Sequence, residues 1–216
     1  MSKLYCITTL FLIVGQSNLF AQDSMIYNII DEVSSERIEK DITKLVSFGT
    51  RHTLSDTISD KRGIGAARRW IKKEFETISS ECNTCLEVFY EKSYVTEGDR
   101  IIFPTWIYNV VAIQRGTKNP NRFIIMSGDI DSRISDPLNY KDDSPGANDN
   151  ASGMAGTIEA ARILSKYKDL LIKNMDELAV MVSEQHGKTI PDAKGSIQRG
   201  IEAVSYTHLR AHETES

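Results

Sequence analysis

The sequence has three cysteines in 216 residues, too few for a small disulfide-built scaffold. A domain of this length can bury enough apolar surface to hold together without them. It has no excess of positive charge: 26 Lys+Arg stand against 30 Asp+Glu, for a net charge of −4. Nothing in the composition would neutralise a phosphate backbone, and nucleic acid is not an expected partner. It has no apolar run long enough to span a bilayer. The stretch Leu4 to Val14 gives way to Gln16, Ser17 and Asn18, where a spanning helix needs about 20 apolar residues. What is present is ordinary: 40% hydrophobic, 26% charged and 8% aromatic residues, the composition of a globular domain rather than a disordered chain.

The N-terminus reads as an address. Lys3 supplies a short positive region, Leu4 to Val14 the apolar stretch, and Leu19-Phe20-Ala21 a small residue before a scissile bond. This is a secretory signal peptide over residues 1–21, with cleavage after Ala21 and a secreted or periplasmic destination. Cys6 lies inside it, which leaves Cys82 and Cys85 at C-x-x-C spacing. In an oxidising compartment that pair is expected to form a local disulfide; no second pair completes a four-ligand zinc knuckle.

From Ser35, Ile38, Ile42, Leu45 and Val46 fall on one helical face, with Gly49 as the stop. After a polar loop, a second helix carries Ala67, Trp70, Ile71, Phe75 and Ile78 on one stripe, and Arg68, Arg69, Lys72 and Lys73 on what reads as a solvated face. Three strand-like runs follow, Leu86 to Val95, Ile107 to Ile113 and Arg122 to Ser127. In the last, the apolar Phe123-Ile124-Ile125-Met126 reads as a central strand covered on both faces. A loop dense in carboxylates comes next, with Asp129, Asp131, Asp136, Asp142, Asp143 and Asp149, and Ala151 then opens a helix. The order predicts an α/β sandwich with a mixed sheet, and places the acidic loop beyond the strand ends, where such sheets bind ligands.

Six aspartates at close range would repel one another unless a cation or solvent screened them, so a bound metal is one reading and a solvated acidic loop the other. An EF-hand is excluded by spacing: counting from Asp129, the sixth position is Ile134 instead of Gly, and the twelfth is Tyr140 instead of Glu.

Two strings carry a resemblance: Ser127-Gly128-Asp129-Ile130-Asp131-Ser132-Arg133, and Ser144-Pro145-Gly146-Ala147-Asn148-Asp149-Asn150-Ala151-Ser152-Gly153, the latter followed by Glu159-Ala160-Ala161-Arg162. Together with Gly49-Thr50-Arg51-His52-Thr53 and Asn109-Val110-Val111-Ala112, they resemble the amino-terminal half of the zinc-dependent aminopeptidases of the bacterial leucyl aminopeptidase type. Glutaminyl cyclases and the peptidase-like domains of transferrin receptors belong to the same family. The resemblance covers about residues 23–165. It implies an incomplete zinc-exopeptidase-like sandwich with a mixed central sheet flanked by helices. It also implies two zinc ions in the parent family, and a peptide or protein substrate held by its free amine.

By that resemblance Asp149 is the carboxylate bridging the two metals, and its two oxygens suit paired catalytic ions roughly 3.5–4 Å apart. Asp129 stands where the family usually has a His ligand, and Asp131 where a carboxylate orients that ligand. An Asp can ligate zinc through oxygen, while adding negative charge that favours harder metals. His52 reads as a hydrogen-bonded loop residue outside the site. The family's general base is one of two adjacent glutamates after the helix at Ala151, where a metal-held water would give up its proton. No Glu-Glu pair follows Ser165, so the chain is expected to be inactive by itself, with no catalytic residue assigned.

Past Ser165 the sequence changes character. Within residues 168–204, Glu184-Gln185-His186-Gly187-Lys188-Thr189 and Ala193-Lys194-Gly195 resemble a helical internal segment of aldehyde dehydrogenases, closest to the methylmalonate-semialdehyde type. It carries no dinucleotide-binding glycine fingerprint and no nucleophilic Cys, so no dehydrogenase activity is expected. Residues 205–216 resemble translated sequencing adapter; His208 and His212 are spaced for a metal on a helix, with Leu209 where a catalytic Glu would stand. The expected organisation is therefore a signal over 1–21, a truncated aminopeptidase-like domain over 22–165, a foreign helical piece over 166–204 and an artefactual tail. The expected function is that of an exported zinc aminopeptidase, truncated and chimeric. The alternatives are a non-catalytic, receptor-like binding module and a dehydrogenase fragment. Oligomeric state is left open.

Overall fold

The computed structural model describes residues 30–116 and 124–205. The leader expected over residues 1–21, Arg122 and Phe123 of the third strand-like run, and residues 206–216 of the tail lie outside those residues. Of the described residues, 30–33 fall in one unit and those from Ser34 onward in another, and the architecture below is that of the second.

Helix α1 spans Ser35–Val46. It starts where Ser34 Oγ accepts the Arg37 N–H at 3.2 Å, carries Glu36 in its first turn and Lys44 in its last, and stops before Gly49 at φ +71. These are the capping and dipole preferences expected of the sequence. Helix α2 spans Gly63–Glu81. Its first residue is in the left-handed region at φ +86, and a Cβ there would meet the Asp56 carbonyl, so only glycine opens this helix without displacement. Past its end, Asn83 and Thr84 both have positive φ, and the tight reversal joins Cys82 to Cys85 by a disulfide, with Cα atoms 5.5 Å apart.

Strands β1, Glu87–Val95, and β2, Thr105–Ile113, pair antiparallel, in a register running from Glu87 opposite Ile113 to Val95 opposite Thr105. The ribbon lies on α2. Tyr90 Oη donates to the Arg68 carbonyl at 3.3 Å, Arg68 stacks 3.9 Å over the Tyr108 ring, and Lys72 sits over Tyr90. The basic face of α2, expected to be solvated, is thus partly roofed by tyrosines. The long aliphatic stems of Arg and Lys lie against apolar surface, and the cations rest on the ring faces.

Among the described residues the sheet has these two strands only, so the mixed central sheet is not formed. Residues 124–127, expected as its buried central strand, have no regular structure, and Ile124 and Met126 are exposed. A strand is held by the ladder to its neighbour, and among the described residues no ladder runs along 124–127.

Helix α3, Ser152–Lys173, is the longest element. Its Met154, Ile158 and Ala161, with Ala151 just before it, share one buried core with Leu45 of α1 and Ala67, Ile71, Phe75 and Ile78 of α2, and Leu86 closes the core from the sheet side. A buried ion network crosses the same interface. Glu159 accepts from the Ser34 N–H at 2.8 Å and from Arg37, while Arg162 bridges Asp41, Glu74 and Glu159. α3 runs without a break through Ser165 and Lys168. Helices α4, Met175–His186, and α5, Ile190–Ser205, follow. They pack as a pair, and α5 also contacts α3. No helix among the described residues is long and apolar enough to cross a membrane.

Candidate active site

The acidic loop lies between Gly128 and the start of α3. Gly128 sets its first side. A Cβ there would come within 2.6 Å of the Met154 backbone, so the chain before Asp129 passes hard against the first turn of α3, as only glycine allows. On the other side, Ala147–Ala151 form a π-type turn feeding α3. Asp149 within it has φ −123 and ψ 93, and the Asp149–Asn150 peptide is cis. Gly146, at φ +47, begins the turn and accepts the Ala151 N–H at 3.1 Å. Gly153 is required by packing, since a Cβ would overlap Asn150 Oδ1. That oxygen is buried with no hydrogen-bond partner among the described residues. The Pro-Gly-Ala-Asn-Asp-Asn-Ala-Ser-Gly string therefore encodes a backbone shape as much as a set of side chains.

The six aspartates do not act as one cluster. Asp136 Oδ1 accepts the Leu138 N–H at 3.0 Å, Asp142 accepts from Asn139 at 2.8 Å, and Asp143 pairs with Arg62 at 2.5 Å. These three are absorbed by turns and an exposed ion pair, the ordinary use of Asp in loops. Asp129, Asp131 and Asp149 are exposed, and among the described residues their side chains make no hydrogen bond or ion pair, Asp131 acting on Arg51 only through its charge. Asp129 and Asp131 line a cavity of about 370 Å³ between β2, α2 and α3, together with Arg68, Trp106 and Met154. Asp149 is not among its lining residues.

A residue outside the acidic set holds these pieces in register. Arg51 is fully buried. Its Nε donates to the Ile130 carbonyl at 2.9 Å, its Nη1 to the carbonyls of Leu45 at 3.0 Å and Pro145 at 2.7 Å, and its Nη2 to the Gly146 carbonyl at 3.0 Å. Burial pushes the guanidinium pKa down, and the charge of Asp131 works against that shift. Around it, Ser132 Oγ accepts the Arg51 N–H at 3.0 Å and donates to the Ser144 carbonyl at 2.5 Å, and the Thr50 and Ser144 hydroxyls meet at 2.9 Å. His52 is buried beside this network. Its Nδ1 accepts the Leu54 N–H at 3.1 Å, so Nε2 is the nitrogen that donates to the Pro137 carbonyl at 3.0 Å. It serves as a loop fastener, outside the acidic side chains.

Zinc centres are built from four ligands, or from three and a water. Among the described residues no three His, Cys, Asp or Glu side chains come together in a metal-holding arrangement. Asp129 and Asp149, two exposed carboxylates, do not fit a zinc centre by themselves. Sequence reasoning named the carboxylates and missed Arg51, Ser132 and Ser144. The signal for Arg51 was its place in the middle of Thr50-Arg51-His52, a polar run between two helices, while Ser132 and Ser144 stand in the two strings that carry the resemblance.

Comparison with known proteins bears on the same stretch. Residues 109–189 match Peptidase family M28. Over 165 residues the chain is 46% identical to a "probable zinc metalloprotease" of Pyrenophora teres f. teres, an alignment covering 76% of this chain and 34% of that protein. A second "probable zinc metalloprotease", from Pyrenophora tritici-repentis, is 47% identical over 146 residues, covering 68% of this chain and 30% of that protein. The chain thus spans about a third of the length of these curated relatives. A separate similarity, 51% over 47 residues, is to a "probable methylmalonate-semialdehyde/malonate-semialdehyde dehydrogenase" of Dictyostelium discoideum, covering 22% of this chain and 9% of that protein.

Proposed function

The chain carries a peptidase family M28 region, and from that premise we propose that it is part of an exported zinc metallopeptidase of the aminopeptidase type, which removes residues from free peptide N-termini. The relatives named zinc metalloprotease imply zinc as the metal. The observation that carries the reading is the Pro145–Gly153 turn. It sets Asp149 immediately before α3, across a shared arginine from the segment bearing Asp129 and Asp131. Asp129 and Asp149 make no side-chain hydrogen bond or ion pair among the described residues, and we take them as two of the ligands that a zinc centre would need, not as a complete set. When bound, zinc would supply Lewis acidity and an activated water. The residues of this chain hold the loop that faces it and supply no general base. The chain by itself is therefore expected to show no turnover.

We further propose that two coding histories meet near residues 165–168, since similarity to a semialdehyde dehydrogenase fragment occurs in the same chain as the peptidase match. A single long sequencing read across residues 160–210 decides this. An uninterrupted native frame through the junction removes the chimera.

The activity is tested on the protein encoded by the uninterrupted peptidase locus, using aminoacyl-chromogenic substrates with and without chelator. Hydrolysis that is lost on chelation and restored by zinc is the expected result; hydrolysis indifferent to chelator, or none, sinks the peptidase reading. For the 216-residue chain itself, chelator-sensitive turnover would overturn the assignment of inactivity.

A further inference from the structure

A buried arginine that meets no carboxylate at hydrogen-bond distance is costly. Burial of the guanidinium is compensated here by four backbone carbonyls, at 2.7–3.0 Å, instead of by an ion pair. Replacement of buried charge by well-packed apolar groups is often neutral or stabilising, so stability alone is a weak account of such a residue. What the four bonds do is specific. They run to three separated pieces of chain: the end of α1 at Leu45, the residue between Asp129 and Asp131 at Ile130, and the two residues opening the Asp149 turn at Pro145 and Gly146. The planar fork of a guanidinium fixes directions as well as distances. The backbone on either side of Ile130 and the backbone leading into Asp149 are therefore both referred to one rigid group.

We propose that Arg51 is the positioning residue of this site, setting the separation and orientation of the Asp129–Asp131 segment relative to the Asp149 turn. The proposal rests on the reading of these carboxylates as the working groups of the peptidase, and it assigns to the buried guanidinium the alignment that the two-stranded sheet does not supply. Ser132 is its second anchor, because its hydroxyl accepts the Arg51 N–H and donates to the Ser144 carbonyl. A lysine keeps the charge and most of the stem, but its single nitrogen cannot reach four carbonyls held in a fork.

The test is hydrogen exchange on the full chain, read peptide by peptide, for wild type, Arg51→Lys, Arg51→Met and Ser132→Ala. Arg51→Lys and Arg51→Met are expected to raise exchange across residues 130–133 and 144–151 by about tenfold or more, and to leave the α2 core at 66–79 within about twofold of wild type. Ser132→Ala is expected to give the same local pattern at smaller amplitude, and it decides the matter if both Arg51 variants fail to fold. Exchange that rises uniformly, or stays at wild-type level in 130–133 and 144–151, overturns the positioning role. Zinc titration of the wild-type chain and Asp149→Asn is run in parallel. If zinc uptake is indifferent to Asp149 while the local pattern holds, the ligand reading falls and the positioning by Arg51 stands.

Discussion

Arg162 on α3 reaches across to α1 and places Nη1 2.5 Å from Asp41 Oδ2, while its Nη2 lies 2.9 Å from Glu74 on α2. One guanidinium thus ties together the three helices that enclose the core. Asp41 is 4% exposed and Glu159 2% exposed, so the acids it serves have little access to water. Loss of Arg162 leaves them buried with fewer counter-charges, the circumstance in which breaking a buried pair is most damaging. Arg162→Ala is expected to lower the unfolding free energy by about 3–5 kcal/mol, measured as a shift of the urea midpoint at unchanged slope. A change within error of wild type would show that the helices are held by the apolar contacts alone.

The same network sets a pH dependence. For Glu159, burial favours the neutral acid, but hydrogen bonds from Arg37 and the Ser34 N–H, the charge of Arg37 and the contact with Arg162 outweigh it, and its pKa is lowered from 4.5. A carboxyl whose folded pKa is below its unfolded value binds fewer protons folded than unfolded. The stability it confers is present above the unfolded pKa and is lost as pH falls through the folded one. Urea unfolding from neutral pH down through the carboxylate range should show this acid limb, and Glu159→Gln should flatten it. An identical limb in the variant would assign the effect to other groups.

The disulfide between Cys82 and Cys85 closes a loop with a sequence separation of 3. Short loops restrict the unfolded chain little, so its removal is expected to cost about 2 kcal/mol or less. A Cys82→Ser, Cys85→Ser double variant should therefore fold, with a modest fall in melting temperature. Failure of the double variant to fold would mean that the reversal at Asn83 and Thr84 depends on the bridge.

Gly128→Ala tests the close approach beneath Asp129. The added methyl would meet the Met154 and Gly153 backbone, and overpacking against main chain costs roughly 1–3 kcal/mol. The destabilisation should come with altered amide shifts at 152–155. Stability equal to wild type would show that the segment can move away from α3 freely.

The elements legible in the sequence were those whose cause is local. α1 and α2 announced themselves through helical spacing, with Gly49 stopping the first, and β1 and β2 through runs rich in β-branched and aromatic residues. The run at 124–127 misled because its apolar character reports a tendency to be covered and does not by itself fix a sheet ladder. Likewise, counting aspartates suggested one cluster, when Asp136, Asp142 and Asp143 were already committed to turns and to Arg62. Arg51 was hidden for the opposite reason. Its partners are carbonyls, which every residue has, so the string Thr50-Arg51-His52 marked the place without showing what the guanidinium holds.

α3 passes through Ser165 and Lys168 without interruption. Each turn of an α-helix is licensed only by the carbonyl four residues behind it, so the ladder has no memory of what lies further back. Residues of any ancestry can prolong it if their propensity allows. The limit comes from the side chains: Ser165 is 2% exposed and its hydroxyl finds no hydrogen-bond partner among the described residues. A backbone can thus be continuous at the very place where the surroundings no longer answer the side chains it delivers.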